Sequence, residues 1–326
     1  MRLVFLGSPP FGTPVLRALL ASRHALAGVV TPPDKRRGRG RALGTSELAA
    51  LAGEHGVEPL LRPTTTKESA FVEALRATQP DVLVVASYGE ILRADVLELA
   101  PQGALNVHAS LLPRWRGAAP IAYAILAGDA ETGVCVQRMV LALDEGDVLL
   151  ERRTAIGPGE TAGELTARLA ELGGEAIVAA LDALEDGTAT FTPQDPDQAT
   201  YATKLSRADG VLDWSRPAGE LERRVRAMTP WPGARTRLPD GRELVVLASR
   251  PVEGSVEGSV EGSVEGSVEG SPDPPGTLCA GHPELVVATG EGALELVRVK
   301  PAGRGAMSGA EFLRGARLPA DARLRN

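Results

Sequence analysis

The chain has 326 residues, a length that fits about two domains, and its hydrophobic fraction of 43% is that of an ordinary globular protein. A formal net charge of −7 excludes a basic surface spread over the whole molecule, although a local basic patch is compatible with it. The two cysteines, Cys135 and Cys279, cannot form a disulfide framework or a metal-ligand motif, and no apolar run approaches the roughly 18 residues of a membrane span. We therefore expect a cytoplasmic protein with no membrane partner.

The first part of the chain alternates short apolar runs with helical patterns. Strands are predicted at 3–7, 25–31, 81–86 and 104–109, and helices at 13–21, 46–56 and 67–78. The run at 81–86 is continuously apolar, as in a strand that is covered on both faces. This alternation predicts an α/β fold with a Rossmann-like, mainly parallel sheet.

A second region follows with a different pattern. Residues 120–127 predict a short helix, 133–140 and 147–156 predict a pair of strands, and Thr161 with Glu164 predicts a capping box that opens a helix to about Glu185. Residues 188–206 are polar and rich in Pro, Asp, Gln and Thr. We expect a linker there, between a first domain at 1–187 and a second domain at 207–326.

The second domain is predicted to be an OB-like β-barrel. Pro217 marks the first turn of a helix, and the Pro-Asp-Gly turn at 239–241 predicts a hairpin between strands at 235–238 and 243–247. Another turn at 290–292 separates two more apolar runs, at 285–288 and 293–299. Five Val-Glu-Gly-Ser repeats at 252–271 predict a flexible insertion, because a four-residue period with Gly and Ser in every unit cannot form a packed core.

Asn106 and His108 are the first residues that indicate chemistry. They lie two positions apart on a predicted strand, so their side chains point to one face of the sheet. A carboxamide can donate to a carbonyl oxygen that becomes negative during acyl transfer, and an imidazole can take a proton from an attacking amine. A buried histidine that is only hydrogen-bonded within the core would give the same pattern.

A cluster of acidic residues, Asp144-Glu145-Gly146-Asp147, follows at a predicted turn. Ordinary turn chemistry explains Glu145 and Asp147. One carboxylate close to His108 would hold the imidazole in one tautomer, but the residues alone do not choose which one.

Together these segments resemble the formyltransferases that use 10-formyltetrahydrofolate. The resemblance begins with NVHASLLPRWRG at 106–117, GDAETG at 128–133 and LDEGD at 143–147. The chain also resembles the members of this family that act on aminoacyl-tRNA. This further resemblance extends over nearly the whole chain and lies in the segments FLGSPPFGTPVLRALL, VVTPPDKRRGRG, TYATKLS, TPWPGA and PAGRGAMSG. Two departures are the repeat at 252–271 and LGTSEL at 43–48, where the family usually has Pro-Ser-Pro-Val-Lys.

The resemblance implies transfer of a formyl group from 10-formyltetrahydrofolate to the amino group of an initiator methionyl-tRNA, without a metal or a covalent enzyme intermediate. Asn106, His108 and Asp144 match the catalytic residues of the family, and in this role His108 either accepts a proton from the amine or donates to the oxyanion. The matching folate-binding positions are Tyr88, Gly89, Ile91, Leu92, Ser110, Leu111, Leu112 and Pro113.

A basic segment at 35–41 carries five positive side chains in seven residues, with two glycines that predict a mobile loop. A solvated charged loop would look the same, but the resemblance favours contact with tRNA, and Arg39 aligns with the family's base-contacting arginine. The expected tRNA contacts are Lys35, Arg36, Arg37, Arg39, Arg41, Lys204, Arg223 and Arg224.

Two other functions use the same residues differently. A formyltransferase for a nucleotide-linked amino sugar, or for a purine precursor, would share Asn106, His108 and Asp144 but would not need the basic segment. A non-enzymatic RNA-binding module would keep the α/β half only as a relic. We expect a monomer that does not bind DNA, and we expect Trp115, Trp214 and Trp231 to be packing residues.

Overall fold

The computed structural model describes residues 1–37, 42–252, 273–279, 281–319 and 322–326. These residues form two compact units, each of which is described separately. The first unit contains residues 1–121, 130–156 and 164–204, and the second contains 122–129, 157–163 and 205–326.

The described residues form both strands and helices, and each kind of element is numbered in chain order. The strands are β1 (Arg2–Gly7), β2 (Ala25–Val30), β3 (Lys35–Arg37), β4 (Ala42–Gly44), β5 (Leu60–Leu61), β6 (Val82–Ala86), β7 (Ala104–His108), β8 (Arg116–Gly117), β9 (Glu131–Arg138), β10 (Val148–Ala155), β11 (Tyr201–Ala202), β12 (Ala234–Arg237), β13 (Glu243–Val252), β14 (Val286–Ala288), β15 (Ala293–Pro301) and β16 (Met307–Ser308). The helices are α1 (Gly12–Leu20), α2 (Glu47–Glu54), α3 (Ser69–Ala77), α4 (Ala94–Leu97), α5 (Pro120–Ala127), α6 (Ala162–Glu185), α7 (Ala218–Ala227) and α8 (Gly309–Ala316).

A seven-stranded sheet with the order β10-β9-β7-β6-β1-β2-β5 forms the centre of the first unit. The strands from β7 to β5 are parallel, whereas β9 and β10 run antiparallel to their neighbours. All five residues of β6 are buried, which explains its continuous apolar sequence. The mainly parallel sheet predicted from the sequence is therefore confirmed, and the predicted pair of strands at 133–140 and 147–156 forms β9 and β10 at its edge.

An antiparallel sheet forms the centre of the second unit, with the order β12-β13-β15-β14 and with β16 paired to β15. The predicted hairpin is confirmed, since β12 and β13 pair antiparallel across the turn that contains Gly241. The expected second, mainly β domain is thus confirmed as a fold class. β13 ends at Val252, and the rest of the predicted flexible insertion lies outside the described residues.

Two segments that the sequence predicts to be a mobile loop and a linker contain paired strands. The first three residues of the predicted mobile loop at 35–41 form β3, which pairs antiparallel with β4, and residues 38–41 lie outside the described residues. Within 188–206, Thr192 pairs with Val148, and β11 pairs with β8, so this segment is tied to the first unit by backbone hydrogen bonds. The domain limits of 1–187 and 207–326 stay a prediction. Among the residues that the structure describes, no helix combines the length and apolar character needed to span a bilayer.

Candidate active site

Asn106 and His108 lie at the carboxyl end of β7. Their backbone partners on β9 are Gln137 and Cys135, respectively. The Asn106 carboxamide is half-buried and makes no hydrogen bond with any other described residue, so its N–H group is available to a ligand. Burial raises the pKa of the Cys135 thiol to about 12, so this neighbour of His108 is a poor nucleophile at neutral pH.

The His108 ring is buried and faces two oxygen atoms. Its Nε2 lies 3.0 Å from the carbonyl oxygen of Trp115, and its Nδ1 lies 3.7 Å from Oδ2 of Asp144. A carbonyl oxygen can only accept, so Nε2 carries a hydrogen in this arrangement. Nδ1 of the neutral ring therefore holds the lone pair and faces the carboxylate.

Two donors hold the Asp144 carboxylate in place. The backbone N–H of Gly117 donates to Oδ2 at 2.8 Å, and Nε2 of Gln137 donates to Oδ1 at 3.0 Å. Asp144 itself has a φ of +52°, a conformation that a non-glycine residue adopts only where its surroundings impose it. Residue chemistry alone did not choose among the acidic residues of the turn, whereas the family resemblance pointed to Asp144, and the fold brings Asp144 close to His108.

Two glycines allow the turns around this carboxylate to pack closely. A Cβ on Gly117, which has a φ of +116°, would lie 2.5 Å from the carbonyl oxygen of Ala202. A Cβ on Gly146 would overlap the carbonyl oxygen of Arg138, at 1.7 Å. Neither position tolerates a side chain without movement of the turn.

Three polar residues in contact with the Asp144 turn were not indicated by the sequence. They are Arg116, Gln137 and Gln194, of which the first two are buried and the third is partly buried. Arg116 is part of the segment that suggested the family, but only the structure shows its partner. Gln194 belongs to the predicted linker. Because that segment is polar throughout, its composition does not distinguish Gln194 from residues that make no specific contact.

The predicted folate-binding loop at 110–113 continues from β7. The Ser110 hydroxyl is buried and donates to the carbonyl oxygen of Arg114 at 2.5 Å, while the N–H of Leu112 donates to Sγ of Cys135 at 3.4 Å. Leu111 and Pro113 are half-buried. This loop is therefore held by contacts within the first unit, and its hydroxyl already has a partner.

The second predicted folate-binding segment follows β6. Tyr88 and Leu92 are buried in a hydrophobic cluster with residues of the sheet, and burial raises the pKa of the Tyr88 phenol. Gly89 and Ile91 are exposed, and the Ile91 side chain is 83% exposed. The segment thus places two of its four predicted contacts in the core and two at the surface.

Exposed apolar side chains also occur just before Asp144. They are Val140, Leu141 and Leu143. Met139, Val140 and Leu141 help to line a shallow cavity of about 480 Å³, which lies next to Gly103 and the start of β7 and not at its carboxyl end, where His108 lies. Exposed apolar surface that borders polar groups is typical of a ligand-binding region.

The predicted tRNA contacts lie in several environments. Lys35, Arg36 and Arg37 form β3, while Arg39 and Arg41 lie outside the described residues. Lys204 is exposed at the end of the first unit. In the second unit, Arg223 donates to the carbonyl oxygen of Leu126 and Arg224 to that of Asp209, so both guanidinium groups already have partners.

Comparison with known proteins identifies the class. The formyl transferase family matches residues 1–181, and the formyl transferase C-terminal domain matches residues 204–317. The chain belongs to the formyl transferase family.

Individual relatives show which kind of formyltransferase the chain is similar to. The chain is 44% identical to a methionyl-tRNA formyltransferase from Methylobacterium sp. (strain 4-46), over 99% of both chains. It is 51% identical to a methionyl-tRNA formyltransferase from Anaeromyxobacter dehalogenans (strain 2CP-1 / ATCC BAA-258), over 77% of this chain and 80% of the relative. The fold is shared with HypX from Aquifex aeolicus, solved in complex with tetrahydrofolic acid, at a TM-score of 0.60 and 20% identity, over 97% of this chain and 48% of that one.

Proposed function

We propose that this protein transfers the formyl group of 10-formyltetrahydrofolate to the amino group of methionine on initiator methionyl-tRNA. The observation that carries the proposal is the placement of Asp144 beside His108, two residues after Asn106 on β7, in a chain that is 44% identical to a methionyl-tRNA formyltransferase over 99% of its length. A formyltransferase for an amino sugar would use the same three residues, but neither of the two relatives described above is named for such a substrate.

Asn106 is proposed to stabilise the negative charge that develops on the formyl oxygen. Its carboxamide stands beside His108 with no partner among the described residues. A donor that is already oriented before the reaction stabilises the developing oxyanion without reorganisation. This assigns Asn106 the role of an oxyanion donor.

His108 is proposed to accept the proton that the methionyl amine loses as its nitrogen bonds to the formyl carbon. The Nε2 hydrogen is engaged by the carbonyl oxygen of Trp115, which leaves the Nδ1 lone pair for this proton. The imidazolium that results lies between this carbonyl oxygen and the Asp144 carboxylate, both of which stabilise its charge. The bond from the formyl carbon to the donor nitrogen breaks, and that nitrogen takes up a proton as it leaves.

The residues around the site fit a folate. Exposed apolar side chains at Ile91, which follows the carboxyl end of β6 beside β7, and at Leu143, next to Asp144, provide surface for a flat aromatic ring system. When bound, 10-formyltetrahydrofolate supplies the activated formyl carbon. The folate contacts assigned to 88–92 and 110–113 are part of this proposal.

Recognition of the tRNA is assigned to the basic segment at 35–41 and to Lys204. Backbone phosphates attract such residues without sequence preference, and the unpaired acceptor end can then be directed into the site. Arg223 and Arg224 contribute in this proposal through their positive charge, since their guanidinium groups are bonded to backbone carbonyls. We also propose that the protein acts as a monomer in the cytoplasm and does not bind DNA.

The experiment is a transfer assay with purified protein and 10-formyltetrahydrofolate. Initiator methionyl-tRNA, elongator methionyl-tRNA, free methionine and a nucleotide-linked amino sugar are compared as acceptors. We expect rapid transfer to the initiator tRNA alone. Transfer to the amino sugar, with none to tRNA, would replace the proposed acceptor while keeping the chemistry.

A further inference from the structure

The structure contains a directional chain of hydrogen bonds that ends on the Asp144 carboxylate. We infer that Gln194 is a positioning residue for the formyl transfer reaction: it connects buried Arg116 to the turn that holds Asp144. This inference rests on the proposed function, because it assumes that Asp144 assists His108.

Every donor in the chain points toward Asp144. Nε and Nη2 of Arg116 donate to Oε1 of Gln194 at 3.1 and 2.9 Å. Nε2 of Gln194 approaches Oε1 of Gln137 at 3.2 Å, and Nε2 of Gln137 donates to Oδ1 of Asp144 at 3.0 Å. The sequence of donors thus runs from a cation to a carboxylate through two amides.

The orientation of both amides follows from their partners. Arg116 can only donate, so Gln194 must present its oxygen to it. The carboxylate of Asp144 accepts, so Gln137 must present its nitrogen to that carboxylate and its oxygen to Gln194. The two hydrogens of the Gln194 amide face three acceptors, and the two nearest, both at 2.7 Å, are backbone carbonyl oxygens of the Asp144 turn. The contact with Gln137 at 3.2 Å is therefore the weaker one, and Gln194 acts mainly through the backbone of the turn.

Gln194 also holds the backbone of the turn. Its Nε2 lies 2.7 Å from the carbonyl oxygen of Asp144 and 2.7 Å from that of Gly146. Asp144 occupies a positive φ between these contacts, so the turn needs an external support to keep this conformation. Arg116 in turn holds the Gln194 side chain, and the third nitrogen of its guanidinium group, Nη1, lies 3.2 Å from the carboxylate of Glu145.

This arrangement explains why a residue from the predicted linker matters to the site. Gln194 lies 50 positions after Asp144 in the chain, and its side-chain hydrogen bonds within the described part of the chain go to Arg116, Gln137 and the Asp144 turn, none of which is a predicted substrate-binding residue. Removing its side chain would leave the Asp144 carboxylate with its donors Gly117 and Gln137 but would free the backbone of the turn that aims it. We therefore expect an effect on the chemical step and not on substrate binding.

The test compares Gln194→Glu and Gln194→Ala with Gln198→Ala in the full-length protein. Gln194→Glu keeps an oxygen for Arg116 but places carboxylate oxygens against the carbonyl oxygens of the turn. Gln198 is a matched control from the same segment, because it is exposed and bonds only to Asp195 among the described residues. Steady-state kcat and KM are measured for both substrates, with circular dichroism to confirm folding.

We expect both Gln194 variants to lose about 10²-fold in kcat with nearly unchanged KM values, since a misplacement of about 1 Å has this cost. Gln198→Ala should match the wild type. An unchanged kcat, or a rise in KM alone, in both Gln194 variants would overturn the inference.

Two further measurements keep the result unambiguous. If the Gln194 variants do not fold, Arg116→Lys tests the same chain of hydrogen bonds, because it keeps the charge but not the two-donor contact; a normal kcat would then overturn the inference. An Asp144→Asn variant is assayed alongside. Full activity of Asp144→Asn would refute the proposed role of the carboxylate, whereas its inactivity together with active Gln194 variants would refute only the inference.

Discussion

Oδ2 of Asp144 lies 3.7 Å from Nδ1 of His108, which is too long for a hydrogen bond but close enough for an ion pair. The carboxylate therefore interacts weakly with the neutral ring and strongly with the protonated ring. Its two hydrogen bonds, from Gly117 and Gln137, keep it in place in both states. This geometry suits a carboxylate that stabilises a transient imidazolium.

Replacing Asp144 tests this role. Asp144→Asn keeps the size of the side chain but removes the charge that would stabilise protonated His108. We expect kcat to fall by about 10²-fold or more, the range of a general acid–base contribution. Asp147→Asn is the matched control, because Asp147 is in the same acidic turn and makes no side-chain hydrogen bond with another described residue. Equal activity of the two variants would contradict the assignment.

Asn106 provides a separate test of oxyanion stabilisation. Asn106→Ala removes the proposed donor, and Asn106→Asp replaces it with an acceptor of the same shape. Both should lower kcat by about 10²–10³-fold, as loss of an oxyanion donor does in other enzymes. Single-turnover rates with saturating substrates measure the chemical step directly. Asn326→Ala, at an exposed position, should leave the rate unchanged, and an Asn106→Ala enzyme with most of its activity would sink the proposal.

The sequence predicted those parts of the fold and site that depend on local periodicity. The buried strand β6 and the hairpin of β12 and β13 have clear apolar patterns and turn residues. Asn106 and His108 could be placed side by side because successive side chains of a strand alternate between its faces. Their common face on β7 follows from this rule.

The remaining features depend on tertiary neighbours. The short strands β3, β4, β8 and β11 have two or three residues each, too few for a periodic pattern, and form because a partner strand is available. The position of the Asp144 carboxylate depends on the positive φ of its turn, so the residue types of the turn alone did not select it and only the family resemblance did. The role of Gln194 depends on contacts with residues 48 to 78 positions away, which leave no signal in one sequence.

The basic segment at 35–41 should control the affinity for tRNA. A triple Arg36→Gln, Arg37→Gln, Arg39→Gln variant neutralises fewer phosphates, so the affinity should fall and depend less on salt, by about 0.7–0.9 in the log–log slope for each phosphate that is no longer neutralised. Binding of initiator tRNA is measured over a salt series. A control triple, Arg17→Gln, Arg76→Gln, Arg93→Gln, removes the same charge from exposed positions elsewhere in the first unit. Equal slopes for the two triples would contradict a role for this segment.

His24 should make the stability of the first unit depend on pH. Its ring is buried near the α-amino group of Met1, the guanidinium of Arg23 and the carboxylates of Asp182 and Glu185. Burial lowers the pKa of His24 below its ordinary 6.5, the positive amino group and Arg23 also lower it, and the two carboxylates oppose this shift. Protonation thus favours the unfolded state, so the unfolding free energy should decrease as the pH falls below 6.5 and level off below the folded-state pKa.

The carboxylates of Asp182 and Glu185, near His24, affect the unfolding free energy in a lower pH range. The Arg23 side chain lowers the pKa of Asp182, and the Met1 amino group lowers that of Glu185, so their contribution is lost only below the ordinary values of 3.8 and 4.5. Urea unfolding at about pH 7.5 and about pH 5 separates the His24 effect. His24→Gln should reduce the difference between these two conditions, whereas His55→Gln, at an exposed histidine, should preserve it. An unchanged difference in His24→Gln would refute this assignment.

The three tryptophans were expected to be packing residues, and the structure separates two of them. Trp214 is 2% exposed and its Nε1 donates to Oγ1 of Thr236 at 3.0 Å, whereas Trp231 is 60% exposed. Trp214→Ala should therefore destabilise the second unit by about 3–5 kcal/mol, because it opens a cavity in the core. Trp231→Ala should change stability by less than about 0.5 kcal/mol, as expected of a surface position. Urea unfolding followed by far-ultraviolet circular dichroism compares the two variants, and equal losses would show that Trp231 packs as tightly as Trp214.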